Sequence, residues 1–208
     1  MFNVITTYGV TMTNQLKLNP EKTAFVVIDL QKGIALANRT FAPYASADVI
    51  KNAAMLANAF REIGSFVVLV NVTPKDGKDA LKSIVDKPMQ WGALAPEDWA
   101  KMSELVPELN RQTSDLLITK RQWGAFYGTE LDLQLRRRGI DTIVLCGIST
   151  NIGVETTARE AYQHDYNIVI AEDACTASSS EEHEHTKKFI FPRIARVRTT
   201  EEILSALK

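Results

Sequence analysis

Between Asp141 and Ala177 the sequence DTIVLCGISTNIGVETTAREAYQHDYNIVIAEDACTA runs from apolar stretch to polar turn to helical period and back to apolar stretch. Thr142 to Cys146 has the length and composition of a buried strand, Gly147 breaks it, and a helical pattern restarts near Gly153. Val154, Thr157, Ala158, Ala161 and Tyr162 share one helical face, and Ile168 to Ala171 supplies a following strand. This is a parallel β–turn–helix–β crossover, which needs a sheet covered on both faces. The turn from Ile148 to Gly153 presents free backbone N–H groups and the positive end of a helix dipole, so an anion or developing anion is the natural occupant above it.

The rest of the chain repeats the pattern. Thr23 to Leu30 (TAFVVIDL) is a continuous apolar run that delivers Asp29 to its carboxyl end. A helical period from Ser46 (Val49, Ile50, Ala53, Leu56, Ala57, Phe60) stops at Gly64, and Phe66 to Val72 reads as the next strand. Leu116 to Thr119 is a short strand leading to Lys120, and Thr129 with Asp132 resembles a capping box for a helix ending at Gly139. Ser178 to Phe191 reads as one helix, Ile194 to Val197 as a short strand, and Thr199 with Glu202 as the cap of a last helix. Six strands alternating with helices predict a doubly wound α/β sandwich with a parallel sheet, whose ligands sit beyond the carboxyl ends of the strands near the reversal of strand order. Asp29, Lys120 and the 148–153 turn all fall at that edge. Residues 73–115 hold four of the seven prolines and read as an irregular lid or interface. Residues 1–20 lack a clear period and read as an extension before a domain spanning 21–208.

At 208 residues, 45% hydrophobic, the chain can bury its own core. With 24 basic against 25 acidic residues it offers no electrostatic reason to bind nucleic acid or an anionic membrane. No window is apolar enough for a membrane span and no signal-peptide order opens the chain, which predicts a cytoplasmic protein. Cys146 and Cys175 lie in apolar strands without C-x-x-C or zinc spacing and read as small buried residues. His183 and His185, two apart in EEHEH, point to different helix faces, so no metal site and no cofactor loop is expected.

VVIDLQKGI, TKRQWGAFYGTELDLQLRRRGIDTIVLCGISTN and AEDAC, in that order, resemble the isochorismatase-like hydrolase family from Thr23 onward. The resemblance implies a three-layer α/β/α fold with a six-stranded parallel sheet, a small-molecule substrate and a homo-oligomer. It also implies an Asp-Lys-Cys triad in most members, and Asp29 and Lys120 match the first two positions. At the third this chain has Gly153, the residue also found in true isochorismatases, whose motif ends in the same Ile-Gly as Ile152-Gly153. Where those enzymes carry Tyr-Ala-His, this chain has Ser149, Thr150 and Asn151. By the same resemblance the Ile148–Ser149 peptide is expected to be cis, Gln31 to position substrate or water, and Trp123 and Phe126 to line the pocket, with surface exposure of Gln31 and core packing of the two rings as the competing readings.

Without a thiolate there is no thioester route. The expectation is acid catalysis on a small carboxylated substrate with a vinyl ether or similar labile bond, Asp29 donating the proton, Lys120 orienting it, and the 148–151 turn and Gly153 completing the site. Burial would raise the pKa of Asp29 and a charged Lys120 would lower it. An amide or ester hydrolase using Ser149 or Thr150, and a silent binding or scaffold protein, are the alternatives.

Overall fold

In a computed structural model of the protein, which describes residues 6–7, 10–11, 16–87 and 96–207, six strands form one parallel sheet. They are β1 (Thr23–Ile28), β2 (Phe66–Val72), β3 (Leu116–Lys120), β4 (Thr142–Ile148), β5 (Asn167–Thr176) and β6 (Arg196–Arg198). The order is β3-β2-β1-β4-β5-β6, every neighbouring pair is parallel, and helices cover both sides. The direction of winding therefore reverses between β1 and β4, which opens a crevice beyond their carboxyl ends.

These two strands are the sheet's centre because they have no polar face to offer water. All six residues of β1 and all seven of β4 are buried. The helix α1 (Ser46–Glu62) lays Val49, Ile50, Ala53, Leu56, Ala57 and Phe60 against the core, and Phe60 stacks on Phe25 of β1 at 5.1 Å. Each such aromatic or aliphatic side chain contributes roughly 1.5–3 kcal/mol by leaving water.

The segment expected to be irregular contains a helix, α2 (Pro96–Ser103), with Glu97 and Asp98 in its first turn where they favour the dipole; residues 88–95 of that segment, like most of the N-terminal extension, lie outside the described residues. The helix α3 (Leu131–Arg137) begins with the Thr129 hydroxyl accepting from the Leu131 N–H, but Asp132 does not close a capping box: its carboxylate takes the Tyr166 hydroxyl and Arg136 instead. The helix α4 (Glu155–Gln163) buries Thr157, Ala158 and Ala161, whereas Tyr162, placed on that face by spacing, is 54% exposed. The helix expected over 178–191 is present and runs on to Ile194: α5 (Ser180–His185) continues through a wider π-helical stretch, Thr186–Ile190, into a last turn, Phe191–Ile194, with helical backbone at each junction. Pro192 lacks the N–H of a regular helical turn, and the π-helical stretch lies directly before its turn. The helical run to Ile194 makes β6 begin two residues later than expected and end one residue later. The last helix, α6 (Thr200–Ala206), has the expected capping box of Thr199 and Glu202.

Candidate active site

At the crevice between β1 and β4 the chain makes two unusual backbone choices. Asp29, immediately after β1, has a φ of +55°, in the left-handed region, where Asp and Asn are the side-chain-bearing residues found most often. Its N–H is tied to the Val70 carbonyl of β2 at 2.9 Å, so the residue is held in that conformation by the sheet itself. Conformations of this kind cost on the order of 1–3 kcal/mol and concentrate at functional sites. Gly147, opposite Ile28 in the ladder, has a φ of +131°, and a Cβ there would lie 2.0 Å from the Ile28 carbonyl oxygen. Only glycine lets β4 approach β1 this closely. Just beyond it the Ile148–Ser149 peptide is cis, as the resemblance implied.

These choices converge on a buried ion pair. Asp29 Oδ2 lies 2.8 Å from Lys120 Nζ, with the two side chains 7% and 1% exposed, and the ammonium also donates to the Trp123 carbonyl at 2.5 Å. Asp29 Oδ1 is buried and has no hydrogen-bond partner among the described residues. Burial pushes the Asp29 carboxyl from 3.8 up to about 6, outweighing Lys120, which pulls it down through charge and hydrogen bond. The opposition left open by the sequence is thus decided in favour of burial. Gly153 completes the triangle: a Cβ built on it would lie 3.1 Å from Asp29 Oδ2, 3.3 Å from Lys120 Nζ and 3.0 Å from Ile28 Cγ2.

The remaining expected residues divide. Ser149 opens the helical turn Thr150–Val154 that leads into α4, and its carbonyl accepts from the Ile152 and Val154 N–H groups. Ile148, Ser149, Thr150 and Gly153 are buried, while Asn151 is partly exposed with its Oδ1 unpartnered among the described residues. Trp123 is 46% exposed at the rim and touches the site through its carbonyl. Phe126 is buried, stacks on His164 at 5.3 Å and tilts against Tyr166 at 5.6 Å, the packing that its competing reading expected. Gln31 is held by the backbone. Its amide donates to the carbonyls of Val72 and Met102 and accepts from the Val72 N–H at 2.7 Å, which commits both N–H groups to backbone and leaves neither for substrate. It ties β1 to β2 and α2, and it is buried rather than a surface amide.

Two residues that hold the site were not singled out for this role. Thr157 on α4 donates to the Gly153 carbonyl at 2.7 Å and accepts from the Ala125 N–H at 3.1 Å; Glu160, one turn on, accepts from the Phe126 N–H. Together they fasten the loop after Lys120 to the elbow. Their spacing of three on one helix face was legible, but their targets were not.

The two cysteines are excluded as nucleophiles. Both are free and fully buried, and burial pushes the Cys175 thiol up to about 12 and Cys146 well above its usual value. Among the described residues no cluster of three or more His, Cys, Asp or Glu could hold a metal ion, and no helix is long and apolar enough to cross a membrane.

Residues 23–202 match the isochorismatase domain. The chain is 54% identical over 198 residues to the isochorismatase family protein YwoC of Bacillus subtilis (strain 168), covering 95% of this chain and all of that one. An isochorismatase family protein from Burkholderia thailandensis superposes with a TM-score of 0.85 at 44% identity, over 92% of this chain and 97% of the other. The ureidoacrylate amidohydrolase RutB of Acinetobacter baylyi (strain ATCC 33305 / BD413 / ADP1) is more distant, 31% identical over 77% of this chain and 73% of its own. Fold, crevice, acid–lysine pair and sequence agree, and the chain belongs to the isochorismatase family.

Proposed function

We propose that this hydrolase works by acid catalysis, without a covalent intermediate, on a small carboxylated substrate bearing a vinyl ether. The observation that carries the reading is the state of Asp29: one oxygen held by Lys120, the other buried without a partner, and a carboxyl raised to about 6 beside a glycine where a nucleophile would stand. A carboxyl tuned into this range is half protonated at about pH 6, keeps roughly a tenth of its molecules protonated at pH 7, and can donate.

In the first step Asp29 Oδ1–H protonates the terminal carbon of the vinyl ether. The π electrons form the new C–H bond, positive charge develops on the ether carbon and oxygen, and Asp29 is left as a carboxylate stabilised by Lys120. Water adds to the oxocarbenium carbon and one of its protons returns to Asp29; the hemiketal hydroxyl then passes its proton to the departing ether oxygen as the C–O bond breaks, releasing pyruvate and an alcohol. Every proton lent by Asp29 is recovered. The elbow supplies N–H dipoles for the substrate carboxylate.

A hydroxyl route to amides or esters has less support. Thr150 has no exposed surface and its Oγ1 is engaged by His183 at 2.9 Å, while Ser149 is 8% exposed. Labelling with a fluorophosphonate and mapping the adduct by mass tests that route: a modified Ser149 or Thr150 would establish it. The direct test of the acid mechanism is pyruvate release from isochorismate by wild type and Asp29→Asn. Loss of release in the variant supports the proposal, and equal rates remove Asp29 from the mechanism.

A further inference from the structure

Behind the elbow lies a buried polar chain that the reaction above does not use. Thr150, the first residue of the turn, places Oγ1 at 2.9 Å from His183 Nδ1, and both side chains are buried to about 1% exposure or less. His183 comes from α5 and not from the sheet. Its other nitrogen makes no hydrogen bond and faces Glu172 Oε2 of β5 at 3.8 Å, while the Tyr44 ring stands edge-on to the imidazole at 5.8 Å. Glu172 in turn accepts from the Tyr44 hydroxyl at 3.1 Å and pairs with Lys187 at 3.0 Å. Nearby, the Thr186 hydroxyl donates to Glu155 at the start of α4.

The chain has one consistent direction. Glu172 is pulled down to about 2, first by the facing imidazole and then, against partial burial, by Lys187 and Tyr44, so it is a carboxylate throughout the neutral range. The nitrogen facing a carboxylate is the one that carries hydrogen, which leaves the Nδ1 lone pair to accept the Thr150 O–H. We propose that His183 is a positioning residue of the catalytic elbow: an imidazole that directs an Nε2 hydrogen at Glu172, accepts the Thr150 hydroxyl at Nδ1 and thereby seats residues 149–153 under Asp29 and Lys120. The device is distinct from a nucleophilic triad because the Thr150 hydroxyl has no exposed surface. It rests on the assignment of the Asp29–Lys120–Gly153 crevice as the active site.

The test reads His183 and Asp29 directly by NMR. In protein labelled with 15N-histidine, whose three histidines include His183, the His183 signals are identified by their loss in His183→Asn. The expected result is a lone-pair-type Nδ1 and a protonated Nε2 at neutral pH; the opposite tautomer overturns the proposal. In the second arm the Asp29 carboxyl is titrated by 13C NMR in wild type, Thr150→Val, His183→Ala and His183→Asn. An elbow that has lost its anchor admits water, so the Asp29 value of about 6 falls toward the ordinary 3.8 in the first two variants. His183→Asn, whose side chain reaches the place of Nδ1, keeps it near the wild-type value. Unchanged titration in both Thr150→Val and His183→Ala overturns the proposal. With isochorismate as probe, the same two variants lower kcat about tenfold to a hundredfold with KM little changed, and the double variant loses no more than the worse single one. Additive losses count against the proposal. If wild type releases no pyruvate, the vinyl ether reading fails while the two NMR arms still decide the role of His183.

Discussion

Removing Lys120 separates the two forces that act on Asp29, and the consequence can be worked out. A buried acid with a raised pKa contributes most to stability below its unfolded value of 3.8 and loses that contribution as pH rises toward about 6. Above that point the wild-type carboxylate is accommodated because Lys120 is 2.8 Å away. In Lys120→Met both lowering influences vanish and only burial remains, so Asp29 stays protonated to higher pH. At pH 5 wild-type Asp29 is already mostly neutral, and the substitution costs only its pH-independent part, including the bond to the Trp123 carbonyl. At pH 8, two pH units above the wild-type value, ionisation favours the wild-type fold by about 2.7 kcal/mol, at about 1.36 kcal/mol for each pH unit, and the variant forfeits up to that amount. The unfolded chain titrates alike in both proteins and cancels. Urea unfolding of both proteins at pH 5, 6, 7 and 8 should therefore show a stability difference that widens with pH, while 13C titration places Asp29 above 6 in the variant. A difference that stays flat from pH 5 to 8, or an Asp29 that titrates at or below the wild-type value, would refute the claim that burial outweighs the ammonium.

Three other outcomes follow from the same geometry. Pyruvate release by wild type should fall about tenfold per pH unit above pH 6, and Asp29→Asn should lower it by at least about a hundredfold, measured by a coupled lactate dehydrogenase assay. Gly153→Cys should not create an amidase: the new Cβ meets Asp29, Lys120 and Ile28 at 3.0–3.3 Å, so the variant should lose about 1–3 kcal/mol of stability and pyruvate release together, with no ammonia freed from simple amides. Phe126→Ala should cost about 3–5 kcal/mol in urea unfolding while KM changes little, because the ring packs against His164 and Tyr166.

The alternation of continuous apolar runs with helical periods determined the parallel sheet, and the positions of the acid at the end of TAFVVIDL and of the lysine after Leu116–Thr119 determined that both reach the carboxyl edge of that sheet. The Ser46–Glu62 helix and the Thr199/Glu202 cap were equally legible, since both rest on spacings within a few residues. The helix α2 was hidden by the prolines around it, and the π-helical widening over Thr186–Ile190 left no mark in the apolar spacing.

What local pattern could not contain is distance between strands. Gln31 follows the acid just as a substrate-handling amide would, yet its partners are backbone groups 41 and 71 residues away. Phe126 belongs to an aromatic-rich turn, and its packing comes from His164 and Tyr166 in the connection between α4 and β5. His183, three residues into a charged helix, gains its meaning from Thr150 and Glu172 on two other elements. The upward push on the Asp29 carboxyl likewise comes from how completely the folded chain excludes water from it. Sequence fixes which groups reach the rim because strand periodicity is local; tertiary structure fixes their protonation and partners because desolvation and hydrogen bonding depend on everything packed around them.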